Sequence, residues 1–276
     1  MHIETTITPR APYSLALSAR HGGDPTRRLR DGVLTVALEA GGGPGLARVR
    51  QLPDGSLAVA LEAAEPAEAL DRLRFVLAAD DDHGPFLRRF ADDRLIGRAV
   101  RSLRGLRPLR TATVTHSLLK AICGQLIQAR AARQLEARLI RTLGTPFGDY
   151  WLPPTRETFG GLAPARLARD GLVARKATAL VRLSREWDVE RLRGVDTDRA
   201  AARIERERGL GPWSAGMICL YGLGRYEQGL VGDLGLVKLC ASLLGRRAEP
   251  EDTRRLLEQY HEWAGLASVY LLAKPA

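Results

Sequence analysis

GLGPWSAGMICLYGLGRYEQGLVGD, residues 209–233, sets the glycine hairpin Gly209-Leu210-Gly211 between two helix-like segments. Ahead of it, residues 198–206 read DRAAARIER, a polar run of good helix formers. Behind it, Trp213, Met217, Leu220 and Tyr221 recur on one helical face. Two glycines in so short a turn permit positive φ and leave the backbone N–H groups uncovered. The next helix starts at once, so its unpaired N–H groups and positive dipole end face the same way, an arrangement that suits a phosphate. Asp233 opens a further helical run, DLGLVKLCASLLG, where a carboxylate is favourable as N-cap or in the first turn. On spacing alone, a plain helical turn followed by a capped helix explains the same residues.

Two further blocks stand upstream: HSLLKAICGQLIQARAARQLEARLIRTLG at 116–144 and GLVARKATAL at 171–180. In this order the three blocks resemble the helix-hairpin-helix–GPD superfamily of DNA glycosylases, and most of all its 3-methyladenine DNA glycosylase II group. The likeness spans residues 94–273. It implies that Asp233 is the catalytic carboxylate and that Trp213, Met217, Leu234 and Tyr221 form the base pocket. It also implies DNA contacts from Gly209, Leu210, Gly211, Ser214, Gln125 and Leu126, with Leu126 standing where the family inserts a wedge into the base stack. A core position for Leu126 is an equally good reading of the residues. The hairpin backbone of Gly209–Gly211 would hold at most a structural monovalent cation. Neither a catalytic metal nor a cofactor is implied.

The bifunctional branch of that superfamily carries its Schiff-base lysine where this chain has Trp213. The four lysines are Lys120, Lys176, Lys238 and Lys274, none of them in the hairpin. Monofunctional base release is therefore expected, since no amine stands there to form a covalent intermediate. The chain also departs from the family pattern. Arg208 and Gly232 replace prolines, while Met217, Leu234 and Leu266 stand where alkylpurine enzymes have aromatic rings that grip a cationic base. Tyr13 and Tyr221 are the candidate substitutes. A non-catalytic helix-hairpin-helix DNA-binding protein is the alternative, although phosphate binding alone needs no carboxylate at 233.

The 276 residues carry a net charge of +10, placed unevenly. Residues 1–85 hold 9 Lys+Arg against 12 Asp+Glu, and residues 86–276 hold 33 against 20. The basic excess thus accompanies the hairpin, as a duplex-DNA surface requires. Cys123, Cys219 and Cys240 are scattered in apolar helical contexts, which reads as buried free thiols in a reducing compartment. That spacing excludes a four-cysteine iron–sulfur cluster. With no apolar run near the ~20 residues of a membrane span, the expectation is a monomeric cytoplasmic protein that associates with the nucleoid through DNA.

Residues 12–62 read as β. YSLALSA, VLTVALEA, LARVRQL and SLAVALEA are separated by Gly/Pro clusters, and Pro53-Asp54-Gly55-Ser56 turns the last pair. Pro66 then opens a helix to cover one face. After Asp80-Asp81-Asp82 nearly everything is helical, with helices expected at 114–129 and 133–143 and a loop at 147–155. The expected class is α+β. A small antiparallel sheet domain at 1–82 precedes a mostly α-helical domain at 83–276, whose helix-hairpin-helix occupies about 197–224.

Overall fold

A computed structural model of the chain describes residues 1–20 and 23–273. It opens with β1 (His2–Ile7), α1 (Leu15–Ser18), β2 (Arg27–Arg30), β3 (Val33–Ala40), β4 (Gly43–Gln51), β5 (Leu57–Glu62) and α2 (Pro66–Leu77). The strands form a five-stranded sheet of order β1-β5-β4-β3-β2, antiparallel throughout. Alternation explains its packing. Leu57, Val59 and Leu61 of β5 and Ala47 and Val49 of β4 all point inward. Cross-strand pairing sets Val49 opposite Val59 and Ala47 opposite Leu61. Ala69, Leu73 and Val76 of α2 close this core, each buried aliphatic side chain contributing about 1.5–3 kcal/mol.

Two local expectations fail here for physical reasons. YSLALSA alternates like a strand, yet residues 15–18 form α1, because Ser14 Oγ accepts a hydrogen bond from the Leu17 N–H at 3.2 Å and caps a helical turn. The strand at that edge comes instead from His2–Ile7, ahead of the expected β region.

The helical part continues with α3 (Gly84–Arg89), α4 (Gly97–Ser102), α5 (Val114–Gly124), α6 (Ala129–Leu143), the strand pair β6 (Thr145–Phe147) and β7 (Tyr150–Leu152), α7 (Arg156–Gly161), α8 (Pro164–Arg169) and α9 (Ala174–Glu186). It ends with α10 (Thr197–Glu205), α11 (Pro212–Met217), α12 (Leu234–Leu244), α13 (Pro250–Glu258) and α14 (Ala264–Leu272). The expected loop at 147–155 contains β7, which pairs with β6 and donates from the Trp151 N–H to the Pro25 carbonyl at 2.9 Å. More important for function, α5 stops at Gly124 and α6 starts at Ala129, so residues 125–128 form a connection where helix was expected. Cys123, Cys219 and Cys240 are buried and free, as expected.

Two apolar clusters stabilise the helices. One joins α5 to α9 and α10 through Leu118, Ile122, Leu180 and Ile204. The other joins α3, α4 and α14 through Phe86, Val100 and Tyr270. Met217, at the end of α11, packs against both, which fixes α11 at their seam.

Sheet and helices meet over buried arginines. Arg107, fully buried, donates from Nη2 to the carbonyls of Arg10 at 2.6 Å and Pro12 at 3.1 Å. Arg110 pairs with the Asp81 carboxylate and donates to the Gly224 carbonyl at 3.1 Å, while the Tyr226 hydroxyl also donates to Asp81. The triple-aspartate run is thus anchored from the helical side. Breaking a buried pair leaves an uncompensated charge, costing about 3–5 kcal/mol. Arg110→Ala should lower unfolding stability on that scale in urea titration, whereas Arg94→Ala, at an exposed position, should change it little.

Candidate active site

Gly209 builds the hairpin between α10 and α11, its φ of 98° lying in the left-handed region that glycine tolerates. Leu210 closes the turn by donating from its N–H to the Glu207 carbonyl at 2.9 Å, and its side chain is buried in the helical core. Only its backbone can face DNA. Gly211 differs from expectation: its φ of −140° is extended backbone that any residue adopts. What glycine supplies there is space, since a Cβ at 211 meets nothing within 4 Å and the N–H groups opening α11 stay uncovered.

Gln125 ties the hairpin to the end of α5. Its Nε2 donates to the Gly209 carbonyl at 2.7 Å and to Ser214 Oγ at 3.2 Å. From the other side, Lys176 Nζ donates to the Gln125 carbonyl at 2.7 Å. Ser214 is buried at the wall of the cleft that Gln125 also lines, and its hydroxyl accepts from Gln125. Next to these anchors Leu126 stands 78% exposed at φ 58°. A bulky residue held in the left-handed region costs about 1–3 kcal/mol, and such outliers cluster at functional sites. The core reading of Leu126 does not hold.

Trp213 carries the hairpin's position to Asp233. Its indole Nε1 donates to Asp233 Oδ2 at 3.1 Å. The ring fits because residue 124 is glycine; a Cβ there would stand 2.5 Å from the indole. Asp233 is the N-cap of α12, with Oδ1 accepting from the N–H groups of Gly235 at 2.8 Å and Leu236 at 3.4 Å. Both oxygens are held, and the carboxylate faces a cleft of about 1000 Å³.

Trp213, Met217, Leu234 and Tyr221 all line that cleft, as do Gln125, Leu126, Gly209 and Gly211. The sequence thus brings together the residues it assigned to chemistry, pocket and DNA contact. Leu266 is a correction, being fully buried in the core; α14 presents Val269 and Leu272 to the cleft instead. Tyr13 does not substitute for a missing ring, since it is packed with Arg107 outside the cleft. Tyr221 lines the cleft, from the π-helical segment Ile218–Leu223 that continues α11, a distortion frequent at functional sites. Lys238 lies exposed at the cleft rim, and Lys274 falls outside the described residues.

A charged group at the inner end was missed by sequence reasoning. Lys120 Nζ donates to both Glu136 oxygens at 3.2 and 3.3 Å, and His116 Nε2 lies 3.0 Å from Glu136 Oε1. Arg27 pairs with Asp24 at 3.4 Å beside them. Burial pushes the Asp24 carboxyl up, but Arg27, His116, Lys120 and the Thr26 hydrogen bond outweigh it and hold the pKa at about 2. Burial likewise opposes ionisation of Glu136 and Lys120, yet their mutual attraction lowers the first and raises the second. His116 and Lys120 share a face of α5 at four-residue spacing, the one available signal. Asp24 arrives from the sheet domain and left none. Asp24, His116 and Glu136 bring potential ligand atoms within 4.8 Å of one another. Since the Lys120 ammonium already neutralises Glu136, this donor set suits an internal ion network better than a metal.

No family model matches the chain. It is 24% identical over 203 residues to the DNA-3-methyladenine glycosylase of Bacillus subtilis, covering 70% of this chain and 67% of that one. It is 26% identical over 208 residues to the probable bifunctional transcriptional activator/DNA repair enzyme AlkA of Mycobacterium tuberculosis, covering 74% of this chain but 42% of that protein. In fold it matches the 3-methyladenine DNA-glycosylase structure from Archaeoglobus fulgidus with a TM-score of 0.83 at 19% identity, covering 98% and 97% of the two chains. With the glycine hairpin, the Trp213–Asp233 bond and the cleft between them in place, these likenesses converge on the helix-hairpin-helix–GPD superfamily of DNA glycosylases, which the chain resembles in sequence and in fold.

Proposed function

We propose that this protein is a monofunctional DNA glycosylase that hydrolyses the N-glycosidic bond of damaged, alkylated purines in duplex DNA during base-excision repair. The observation that carries the reading is the Asp233 carboxylate, held at both oxygens on the wall of a cleft large enough for a flipped base. Bond cleavage builds positive charge on the sugar's anomeric carbon and ring oxygen. A fixed carboxylate stabilises that charge without reorganising, often the largest catalytic contribution, and can also activate the attacking water. Alkylation makes the purine a cationic leaving group, so a second carboxyl is not required to protonate it.

DNA engagement follows from the same elements. The hairpin N–H groups clamp a phosphate, and Leu126 enters the stack as the base turns out, offsetting part of the few kcal/mol of unstacking. The protein acts as a monomer. A monovalent cation at the hairpin would share the Arg208 and Gly209 carbonyls with donors already on them, Arg182 Nη2 at 3.0 Å and Gln125 Nε2 at 2.7 Å, so no step is routed through it.

Asp233→Asn keeps the size and capping capacity of the residue, since Asn caps a helix about as well as Asp. Fold and duplex affinity should survive while single-turnover base release falls by at least ~10²-fold. Trp213→Phe, which removes the donor to Oδ2 together with part of the ring packed against Gly124, should show a smaller loss of the same kind. Parent-like excision by Asp233→Asn would remove the catalytic assignment.

Gly211→Val should melt like the parent, because its backbone is extended and a Cβ there meets open space. Duplex affinity should nonetheless drop for every sequence, and binding by the parent should weaken with salt by a log–log slope of about −0.9 per neutralised phosphate. Unchanged affinity in the valine variant excludes the hairpin as the clamp.

Borohydride added during turnover should trap no protein–DNA adduct, because Trp213 occupies the place of the bifunctional lysine. An adduct that disappears in Lys238→Met would assign that rim lysine a nucleophilic role.

A further inference from the structure

The inner end of the cleft presents hydrogen-bond donors, and its chemistry says which purines fit; this rests on the glycosylase reading above. The two carboxylates there are already engaged. Glu136 is 3% exposed and binds Lys120 and His116, while Asp24 Oδ1 accepts from the Thr26 N–H at 2.8 Å and Oδ2 faces Arg27. Donors remain. An ammonium has three N–H groups, and Lys120 spends two on Glu136, leaving its 20%-exposed side chain one to direct into the cleft. The Tyr221 hydroxyl makes no hydrogen bond to any described residue, and its ring lies 6.0 Å from the Lys120 ammonium. Tyr221, Lys120 and Asp233 all line the same cleft.

We propose that Lys120 and the Tyr221 hydroxyl form a specificity site that selects purines bearing a carbonyl oxygen at position 6 over those bearing an amine. The six-position oxygen of a guanine- or hypoxanthine-type base accepts hydrogen bonds, whereas the six-position amine of an adenine-type base donates them. Turned into the cleft, a 6-oxopurine meets the ammonium and phenol as donors. The phenol hydroxyl can accept from the amine of a 6-aminopurine, but the ammonium cannot, so such a base leaves the Lys120 donor unpaired and Lys120 carries the larger share of the selection. Sites built around such a hydrogen bond discriminate more strongly than apolar pockets do. Met217, Leu234 and Leu272 supply only shape, so the polar end carries the distinction.

The experiment follows release of 7-methylguanine and 3-methyladenine, both cationic in DNA, from methylated duplex DNA. The parent should release 7-methylguanine at least ten times faster than 3-methyladenine, each measured over its spontaneous loss. Tyr221→Phe removes a hydroxyl with no partner among the described residues, so it should melt like the parent and slow base release, with a smaller change in the oxo-to-amino ratio than a change at Lys120. Lys120→Met combined with Glu136→Leu removes both buried charges together and should bring the ratio near one. A ratio unchanged in both variants would leave Lys120 a structural residue and overturn the assignment, as would a parent that prefers 3-methyladenine. A parent that releases neither base overturns the glycosylase reading and, with it, the selection.

Discussion

The hydrogen bond from Trp213 Nε1 to Asp233 Oδ2 is the contact on which the site depends. It joins the first turn after the hairpin to the first turn of α12, whose Leu236 belongs to the apolar cluster that Trp213 and Met217 pack against. The α12 N–H groups alone would fix one carboxylate oxygen. With the indole on the other, the charge is aimed as well as placed, and electrostatic catalysis requires a stabiliser that does not reorient as the barrier is crossed. Helix packing sets this geometry from further away, since α11 lies at the seam of two apolar clusters that Met217 touches on both sides.

The fold reaches this arrangement through buried charge as much as through apolar burial. Arg107 and Arg110 satisfy carbonyls and the Asp81 carboxylate where sheet and helices meet. Such pairs add little net stability, because desolvation offsets most of the attraction. What they supply is a defined seating of the sheet domain, which carries Asp24 and Arg27 to the inner end of the cleft. The sheet thereby contributes side chains to the site as well as covering the helices.

Features written in local spacing were legible in the sequence. The glycine hairpin, the helix face carrying Trp213 and the helix-opening Asp233 follow from turn and cap chemistry within 25 residues, and residues 116–144 and 171–180 extend the same pattern. Features that depend on tertiary choice were not. LALS alternates like a strand but is a capped helical turn, because over four residues the periods of strand and helix cannot be told apart. The break after Gly124 was hidden in a run of good helix formers, and there Gln125 gives up helical pairing for bonds to the hairpin. Leu126 could be core or wedge until that break put it outside. The Asp24–His116–Glu136 group brings Asp24 to residues 92 and 112 positions further along the chain, a distance no periodicity spans.

Gly124 shows how such a site constrains its own divergence. The indole of Trp213 fills the place a side chain at 124 would take, so any larger residue there displaces the ring that holds Asp233. The two positions are bound as one hereditary unit. A lineage could enlarge residue 124 only after the tryptophan had been traded for something smaller, and that trade would first surrender the aim of the carboxylate. Drift at this pair is closed by the order in which the steps would have to come.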